Sequence, residues 1–337
     1  MVREDLIVGA ADDAAVDRHR PATAVSVVEE SDSYARSLRG IEAQAIRTGK
    51  GSGPTSIASV AGDEYVATSV TTGFPMLAST TVGDGLLVVA AIRSAPPGTR
   101  WCENDIAPGM IVVYGPGAEH TAVNAEGLSF AFMVAKIDDI TRIAHEMHIE
   151  PSPPPFGEVH MLAPSPAARQ LGGTLVPLVQ RTRYDHPSQV GSTDLLASVA
   201  AALERPRLDA RAGAGRSIDN RRVALACLAH AEAIGRMPTI LELRRVAHVS
   251  ERRLREAFVR TFGQPPGRFF RMWALEAARE RFQQPQTFRA DAVSTTAYDL
   301  GFRHMGRFSA YYKRQFGEYP SDTQKRSAPT LASARSS

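Results

Sequence analysis

The chain has 337 residues, enough for about two domains when one domain takes ~150 residues. Hydrophobic residues make up 43% and charged residues 22%, which is typical of a folded globular protein and excludes a chain that is disordered over its whole length. No apolar run reaches the ~18 residues of a membrane-spanning helix, and the N-terminus lacks the pattern of a signal peptide. Its two cysteines exclude a disulfide scaffold, so we expect a reducing, cytoplasmic location without membrane association.

Charge is distributed unevenly along the chain. Residues 1–216 carry 18 Lys and Arg against 25 Asp and Glu, whereas residues 217–326 carry 20 against 11. The net charges are −7 and +9, so the C-terminal third is basic by itself. Such a region indicates a polyanionic partner, most simply a nucleic acid, although solvated helix faces in an arginine-rich protein would give the same balance.

The N-terminal part of the chain has the texture of β structure. Residues 1–24 are polar and alanine-rich, and we interpret them as a flexible arm. From residue 25 to about 135, short apolar runs are separated by Gly, Pro and Thr, which favours an antiparallel β sandwich or barrel. A helical period follows over residues 137–148, and residues 164–184 and 187–205 are also predicted to be helical. The sequence therefore predicts a β-rich domain with flanking helices.

The remaining chain divides at a segment rich in Gly, Ala and Arg, residues 205–217, which we interpret as an interdomain linker. The N-terminal domain then covers residues 25–204, and an all-helical domain covers residues 218–323. Residues 324–337 form a Ser- and Ala-rich segment that is expected to be a disordered tail. The predicted fold class is α+β, with a cupin-like sandwich or barrel followed by an all-α domain.

Residues 239–263 have the pattern of a helix-turn-helix unit. Thr239 can cap a first helix, residues 247–249 make the turn, and Ser250 is a favourable N-cap for the second helix. A short helix, a tight turn and a capped helix with a cationic outer face are what docking in a DNA major groove requires. The outer face of the second helix carries Arg252, Arg253, Arg255, Glu256 and Arg260.

A second unit of the same kind spans residues 292–321. Its first helix ends at Gly301, a natural left-handed stop, and Phe302 can fill the core of the turn. His304 stands at the start of the next helix, either as a cap that touches phosphate or as an ordinary turn residue. This helix directs Phe308, Tyr311, Tyr312 and Phe316 inward, with Met305, Gly306, Arg307, Ser309 and Lys313 outward or near its start. A helix over residues 267–282 joins the two units.

These features resemble the DNA-binding domain of AraC/XylS-type transcription regulators over residues 220–323. In the first unit the resemblance is carried by the stretch VSERRL, which starts at Val249, and by Phe258, Gly263 and Pro266. In the second unit it is carried by the signature LGF-x4-RFSAYYKRQFG-x2-PS, which ends at Ser321. The segment APGMIVVYGPGAEH also makes the N-terminal region similar to the AraC-binding type of β-rich domain.

The resemblance implies that two recognition helices, about 250–262 and 305–316, enter successive major grooves ~34 Å apart. It places base-facing positions at Arg252, Arg255 and Glu256 in the first helix and at Met305, Gly306, Ser309 and Ala310 in the second. We therefore expect the first unit to supply most direct readout and the second to contact phosphates. The full set of expected DNA-binding residues is Arg252, Arg253, Arg255, Glu256, His304, Met305, Arg307, Ser309 and Lys313.

Two positions depart from the family pattern. Arg244 stands where a small buried residue is expected in the first positioning helix, and His248 stands where the turn glycine is usual. We therefore expect the packing of this turn to differ from that of other members, although His tolerates the left-handed conformation.

The resemblance further implies a transcription regulator, expected to be an activator, that binds double-stranded DNA as a homodimer. Its N-terminal domain would sense a small-molecule effector, as yet unidentified, or dimerise, and contact with RNA polymerase is a further expectation. The stripe of Leu195, Leu196, Val199 and Leu203 is either a dimer seam or part of the core.

The alternative is a cupin-like metal-dependent enzyme with an accessory DNA-binding domain. Cupin chemistry needs a His-x-His pair with a later Glu and His around one metal, and no His-x-His occurs in the chain. We therefore predict no catalytic residue, no metal and no cofactor. Cys102 is expected to be an inert thiol rather than a redox sensor, and His120 a strand-end loop residue rather than a cavity residue.

Overall fold

The structure is a computed structural model, and it describes residues 22–28, 31–38, 40–164, 166, 169–175, 192–203, 214–284 and 292–327. Most of the expected arm (1–24), most of the expected linker (205–217) and the end of the expected tail (324–337) lie outside the described residues. So do residues 176–191, which hold parts of both predicted helices beyond residue 164.

The N-terminal domain is built from two antiparallel sheets, which confirms the predicted β-rich sandwich. The strands are β1 (Ala22–Val28), β2 (Glu42–Arg47), β3 (Thr55–Ala61), β4 (Tyr65–Thr71), β5 (Met76–Thr81), β6 (Leu86–Ser94), β7 (Arg100–Trp101), β8 (Asn104–Asp105), β9 (Ile111–Tyr114), β10 (Glu119–Asn124), β11 (Ser129–Lys136) and β12 (Val159–Leu162). Within the described residues, one sheet has the order β1-β3-β4-β11-β6-β9-β12 and the other β2-β5-β10-β7-β8.

The larger sheet is covered on both faces, and this explains its nearly continuous apolar strands. Successive residues of a strand point to opposite faces. Val88 accordingly packs into a core between the two sheets, while Val89 packs into a second core beneath the helices. The helices of this domain are α1 (Ser31–Ser37), α2 (Ile137–Glu146) and α3 (Ser192–Leu203), and residues 169–175 are also helical.

The structure of helix α3 decides whether its apolar stripe is a dimer seam or part of the core. Leu195, Leu196, Val199 and Leu203 are all buried in the helix-covered core of this same chain, together with Ile140 and Ile143 of α2. The amphipathic pattern alone cannot tell a partner helix from a sheet, because both bury the same stripe. Here the sheet is the partner, so these residues do not form an exposed seam.

The C-terminal domain is all-helical, as predicted. Its helices are α4 (Ala214–Ile234), α5 (Ile240–Ala247), α6 (Glu251–Phe262), α7 (Pro266–Gln283), α8 (Ala292–Asp299), α9 (Met305–Phe316) and α10 (Pro320–Ser327). Among the residues that the structure describes, no helix is both long and apolar enough to cross a membrane.

The structure corrects three segment ends. Residues 22–24 of the expected arm belong to β1, and residues 214–217 of the expected linker belong to α4. Residues 324–327 of the expected tail belong to α10. This last helix is held by the buried Thr323, whose hydroxyl lies 2.8 Å from the Tyr312 hydroxyl, a tertiary contact that a polar, Ser-rich sequence does not reveal.

The assignment of α3 to the core can be tested with Leu196→Ala. Removing this fully buried side chain should lower the free energy of unfolding of the N-terminal domain by about 2–5 kcal/mol, because it leaves a cavity. Denaturant unfolding measures the loss, and Val27→Ala, at a position 61% exposed on β1, is the matched control with an expected change below about 0.5 kcal/mol. If Leu196→Ala weakened self-association but kept wild-type stability, the result would contradict the core assignment and support a dimer seam.

Candidate nucleic-acid interface

The first positioning helix, α5, begins with a complete capping box. The Thr239 hydroxyl accepts the Glu242 backbone N–H at 3.2 Å, and the Glu242 carboxylate accepts the Thr239 backbone N–H at 2.7 Å. Hydrogen bonds from Arg236 and Thr239 lower the pKa of Glu242 to about 2, so this carboxylate stays ionised. The cap predicted at Thr239 is therefore confirmed, and Arg236 fastens it from outside the helix.

The turn after α5 accommodates both departures from the family pattern. His248 takes the left-handed conformation, with φ 52° and ψ 40°, that a glycine would otherwise supply. Arg244 is exposed rather than buried, and Leu243 beside it fills the core. Leu243, and not position 244, therefore supplies the buried side chain in this part of α5.

The first recognition helix, α6, presents its polar face outward as the sequence predicts. Ser250 caps it by accepting the Arg253 backbone N–H at 3.2 Å, and Leu254 and Phe258 anchor its inner face. The side chains of Arg252, Arg255 and Glu256 are exposed, and none of the three forms an ion pair with another described residue. They are thus available to an external partner.

Arg253 is placed differently from its neighbours. Its guanidinium turns onto α4, where Nη2 lies 2.6 Å from Asp219 Oδ2 and Nη1 donates to Asn220 Oδ1. Helical spacing places this arginine near the outer face of α6. It does not reveal that the ion-pair partner lies on another helix, more than thirty residues earlier in the chain. Asp219 and Asn220 are residues of this site that sequence reasoning missed.

The second unit follows the predicted design with fewer outward functional groups. Gly301 has φ 94° after α8, and Phe302 is buried in the turn. His304 is at the N-cap position of α9, but its side chain makes no capping hydrogen bond. Met305 packs partly against the core. The residues exposed on α9 are Gly306, Arg307, Ala310, Lys313 and Arg314, with Ser309 half-buried.

A pair of cations beside α9 was not predicted. The Arg271 guanidinium of α7 lies 4.4 Å from the ring centre of Tyr311, and that of Arg314 lies 5.0 Å from the same ring. Bringing two like charges to one ring costs energy unless an anion is near, so this edge of α9 suits a phosphate. Tyr311 is half-buried and serves as the platform for both.

Helix α7 connects the cores of both units. Its N-terminal half contributes to the first core and its C-terminal half to the second, so one rod carries both recognition helices. The residues concerned are Phe269, Phe270 and Met272 in the first core and Ala274, Leu275, Ala278 and Phe282 in the second.

The N-terminal sandwich contains a small apolar cavity of about 40 Å³. Its polar edge includes His120 and Asn124 of β10 and Tyr114 of β9, and Trp101 donates its indole N–H to Asn124 Oδ1 at 2.9 Å. The space suffices for a few water molecules and not for a drug-sized ligand. His120, interpreted from sequence as a strand-end loop residue, instead lines this cavity.

A buried thiol lies beside the cavity histidine. Cys102 Sγ is 3.3 Å from His120 Nδ1, and both residues are buried. Burial raises the pKa of Cys102 to about 11 and lowers that of His120 to about 3, so both groups are neutral at pH 7. Cys102 is therefore a thiol rather than the more nucleophilic thiolate.

The buried histidine predicts a loss of stability in acid. His120 ionises near pH 3 in the fold and near 6.5 when unfolded, so the unfolded chain binds more protons between these values. The free energy of unfolding should therefore fall by up to about 1.4 kcal/mol per pH unit below pH 6.5. Glu276, whose pKa burial raises to about 7, opposes this trend between pH 7 and 4.5.

His120→Gln isolates this histidine contribution, because glutamine does not titrate while the Glu276 effect is unchanged. Unfolding of wild type and variant is measured from pH 7.5 to 4.5, and the difference between the two should shrink steadily below pH 6.5. Parallel pH profiles would show that His120 binds a proton as readily in the folded chain as in the unfolded chain, and would contradict its lowered pKa.

The C-terminal region is similar to known proteins. Residues 243–326 match the family model described as a helix-turn-helix domain. The chain is 38% identical over 84 residues to "XylDLEGF operon transcriptional activator 3" of Pseudomonas putida, a match covering 25% of this chain and 25% of that protein. It is 35% identical over 92 residues to "XylDLEGF operon transcriptional activator 2" of the same organism, covering 27% of this chain and 58% of the relative.

Each of these two matches therefore leaves a large part of the relative uncovered: the chain spans about a quarter of one and just over half of the other. Among solved structures, a probable AraC family transcriptional regulator from Rhodopseudomonas palustris CGA009 is 29% identical, with a TM-score of 0.30. That match covers 32% of this chain and 99% of the other.

Proposed function

We propose that this chain, whose C-terminal region is a helix-turn-helix domain of the AraC/XylS type, is a sequence-specific DNA-binding regulator of transcription. The observation that carries the proposal is the outer face of α6, where Arg252 and Arg255 are exposed on a helix capped by Ser250 and form no ion pair with any residue that the structure describes. Guanidinium groups at the start of a recognition helix reach base edges when that helix lies in a major groove.

The two recognition helices divide the work of binding. Arg252, Arg255 and Glu256 read base edges, because they project freely from α6. Helix α9 contributes mainly phosphate contacts from Arg307 and Lys313, since its other exposed groove-facing positions, Gly306 and Ala310, offer no hydrogen-bonding side chain. Met305, Ser309 and His304 border this contact surface.

Arg253 has a supporting part in this scheme. Its guanidinium is held by Asp219 and Asn220, so it orients α6 against α4 and is available at most to the DNA backbone rather than to base edges. Half or more of protein–DNA hydrogen bonds serve this positioning purpose.

The domains carry separate tasks. The N-terminal domain, from β1 to α3, senses an effector or forms a homodimer, and the helical domain, which starts with α4 at Ala214, binds DNA. An effector in the β sandwich has to displace side chains around the small cavity, because about 40 Å³ does not hold a metabolite. The relatives' names support an activator, which would contact RNA polymerase in the cytoplasm.

The enzyme alternative finds no specific support. In the described ranges, no group of three or more His, Cys, Asp or Glu side chains is placed to hold a metal ion. Regulators with this type of DNA-binding domain are typically not enzymes.

Direct readout by α6 predicts a base-specific effect of Arg252→Ala and Arg255→Ala. Each should lower discrimination at one or two base pairs by about 1–3 kcal/mol, because a bidentate guanine contact is lost. Binding constants are measured on a genomic fragment selected by the wild-type chain and on its single-base variants. Arg142→Ala, which removes the same charge from the N-terminal domain, is the control. Equal weakening on every duplex would contradict direct readout.

Phosphate binding by α9 predicts the opposite pattern for Arg307→Ala. The variant should weaken binding to all duplexes alike and should reduce the slope of log K against log[salt] by about 0.9, because one phosphate contact disappears. Titrations at four or more salt concentrations provide the slope. If the loss of affinity instead depended on the base sequence and the salt slope were unchanged, Arg307 would contact a base edge rather than a phosphate.

A further inference from the structure

The N-terminal domain docks against the DNA-binding domain through several polar contacts. The Arg47 backbone N–H donates to Glu276 of α7 at 2.6 Å. Arg221 of α4 reaches the Glu119 carboxylate at 2.9 Å. Leu77 of β5 adds an apolar contact by packing into the core of the first helix-turn-helix unit. The two domains therefore meet at α4, α6 and α7, next to the first recognition helix.

The hairpin between β7 and β8 contacts both α4 and α6. Cys102 and Glu103 both take left-handed backbone conformations, with φ of 47° and 67°, which are costly for residues other than glycine. This turn projects the Glu103 carboxylate toward α4, where its two oxygens accept Asn220 Nδ2 at 3.3 and 3.2 Å. From the same hairpin, Arg100 Nη2 donates to the Arg260 backbone carbonyl of α6 at 2.5 Å.

Asn220 is the centre of this contact. It is only 5% exposed, and its amide bridges two charged groups: Nδ2 donates to Glu103, while Oδ1 accepts from Arg253 of α6. Burial raises the pKa of Glu103, and the Asn220 hydrogen bond together with the charges of Arg100, Arg260 and Arg253 opposes that rise. The carboxylate therefore lies in the positive field of three arginines, two of which belong to the first recognition helix.

A buried amide donor next to arginines on a DNA-reading helix is a donor set that suits a phosphate oxygen. We propose that Asn220, Arg253 and Arg260 form a binding site for one DNA backbone phosphate, and that Glu103 of the N-terminal domain occupies this site in the docked chain. The proposal rests on the proposed function in DNA binding. Docking of the N-terminal domain then competes directly with the DNA backbone.

The interface has the features of a contact that can open. Within the described residues, Arg100 Nε and Arg221 Nε are buried without a hydrogen-bond partner, and buried donors of this kind cost ~1–3 kcal/mol each. A cleft of about 360 Å³ also remains between β2 and β5 on one side and α4, α6 and α7 on the other. Undocking hydrates both guanidinium groups and opens the cleft, which offsets part of the cost of withdrawing Leu77 from the helical core.

The test compares Glu103→Gln with the wild-type chain on the selected genomic fragment and on an unrelated duplex. Glutamine keeps the size of the side chain but removes the charge that holds the site. Asp105→Asn is the matched control, because it removes one charge from the same hairpin at an exposed side chain. Thermal unfolding of each variant confirms that it is folded.

We expect Glu103→Gln to bind both duplexes more tightly, with the slope of log K against log[salt] steeper by about 0.9. Its advantage over wild type should therefore shrink about three- to fourfold between 50 and 200 mM salt. Asp105→Asn should leave the slope unchanged. A Glu103→Gln slope equal to that of wild type or of the control would overturn the proposal.

Asn220→Asp separates the phosphate site from simple undocking. Its carboxylate repels Glu103 and so releases the domain, but it also removes the amide donor that would hold the phosphate. We expect no increase in slope for this variant; an increase equal to that of Glu103→Gln would assign the effect to undocking alone and contradict the site. A wild-type chain that binds no duplex would refute the proposed function instead, so the two failures are distinguishable.

Discussion

The apolar packing of one helix, α7, determines how the two helix-turn-helix units stand relative to each other. Phe269 and Phe270 fix its first half in one core, and Leu275 and Phe282 fix its second half in the other. Burying such side chains contributes about 1.5–3 kcal/mol each, so neither half can detach cheaply. A helix of 18 residues is about 27 Å long, of the same order as the ~34 Å repeat of the DNA groove.

The charge of the DNA-binding domain has two structural uses. Some arginines form ion pairs within the fold. Arg279 is buried and pairs with Glu318, to which Arg326 also binds. Arg253 pairs with Asp219. Others are exposed without a carboxylate partner among the described residues, as Arg252 and Arg255 are. The net charge of the domain therefore overstates the positive charge that is exposed to a polyanion, and the proposed contact surface consists of the exposed arginines.

Local features of this fold could be predicted from sequence, because their causes lie within a few residues. The caps at Thr239 and Ser250 and the left-handed stop at Gly301 each depend on one residue type at one position. The buried aromatic face of α9 follows from helical spacing in the same way. The fold class of a helical domain built from such caps, turns and amphipathic helices can therefore be predicted from its sequence.

The remaining features could not be predicted, because they depend on contacts between distant parts of the chain. Strands β7 and β8 have two residues each, too few to show a period, and the Glu103 contact with Asn220 spans 117 positions. The direction of the Arg253 guanidinium depends on the same distant helix. The stripe of α3 was readable as a stripe, but only the tertiary structure shows that a sheet covers it.

The bridge at Asn220 also bears on how such proteins diversify. The amide and the arginine that it holds both belong to the helical domain, and the β domain supplies a single carboxylate from a turn. A different sensory module joined to this helical domain would reproduce this one contact with a single acidic side chain, whereas the contacts of Glu119, Leu77 and Arg100 would need their own equivalents. The contact at Asn220 is in this way transferable between N-terminal modules of different ancestry, independently of the rest of the docking surface.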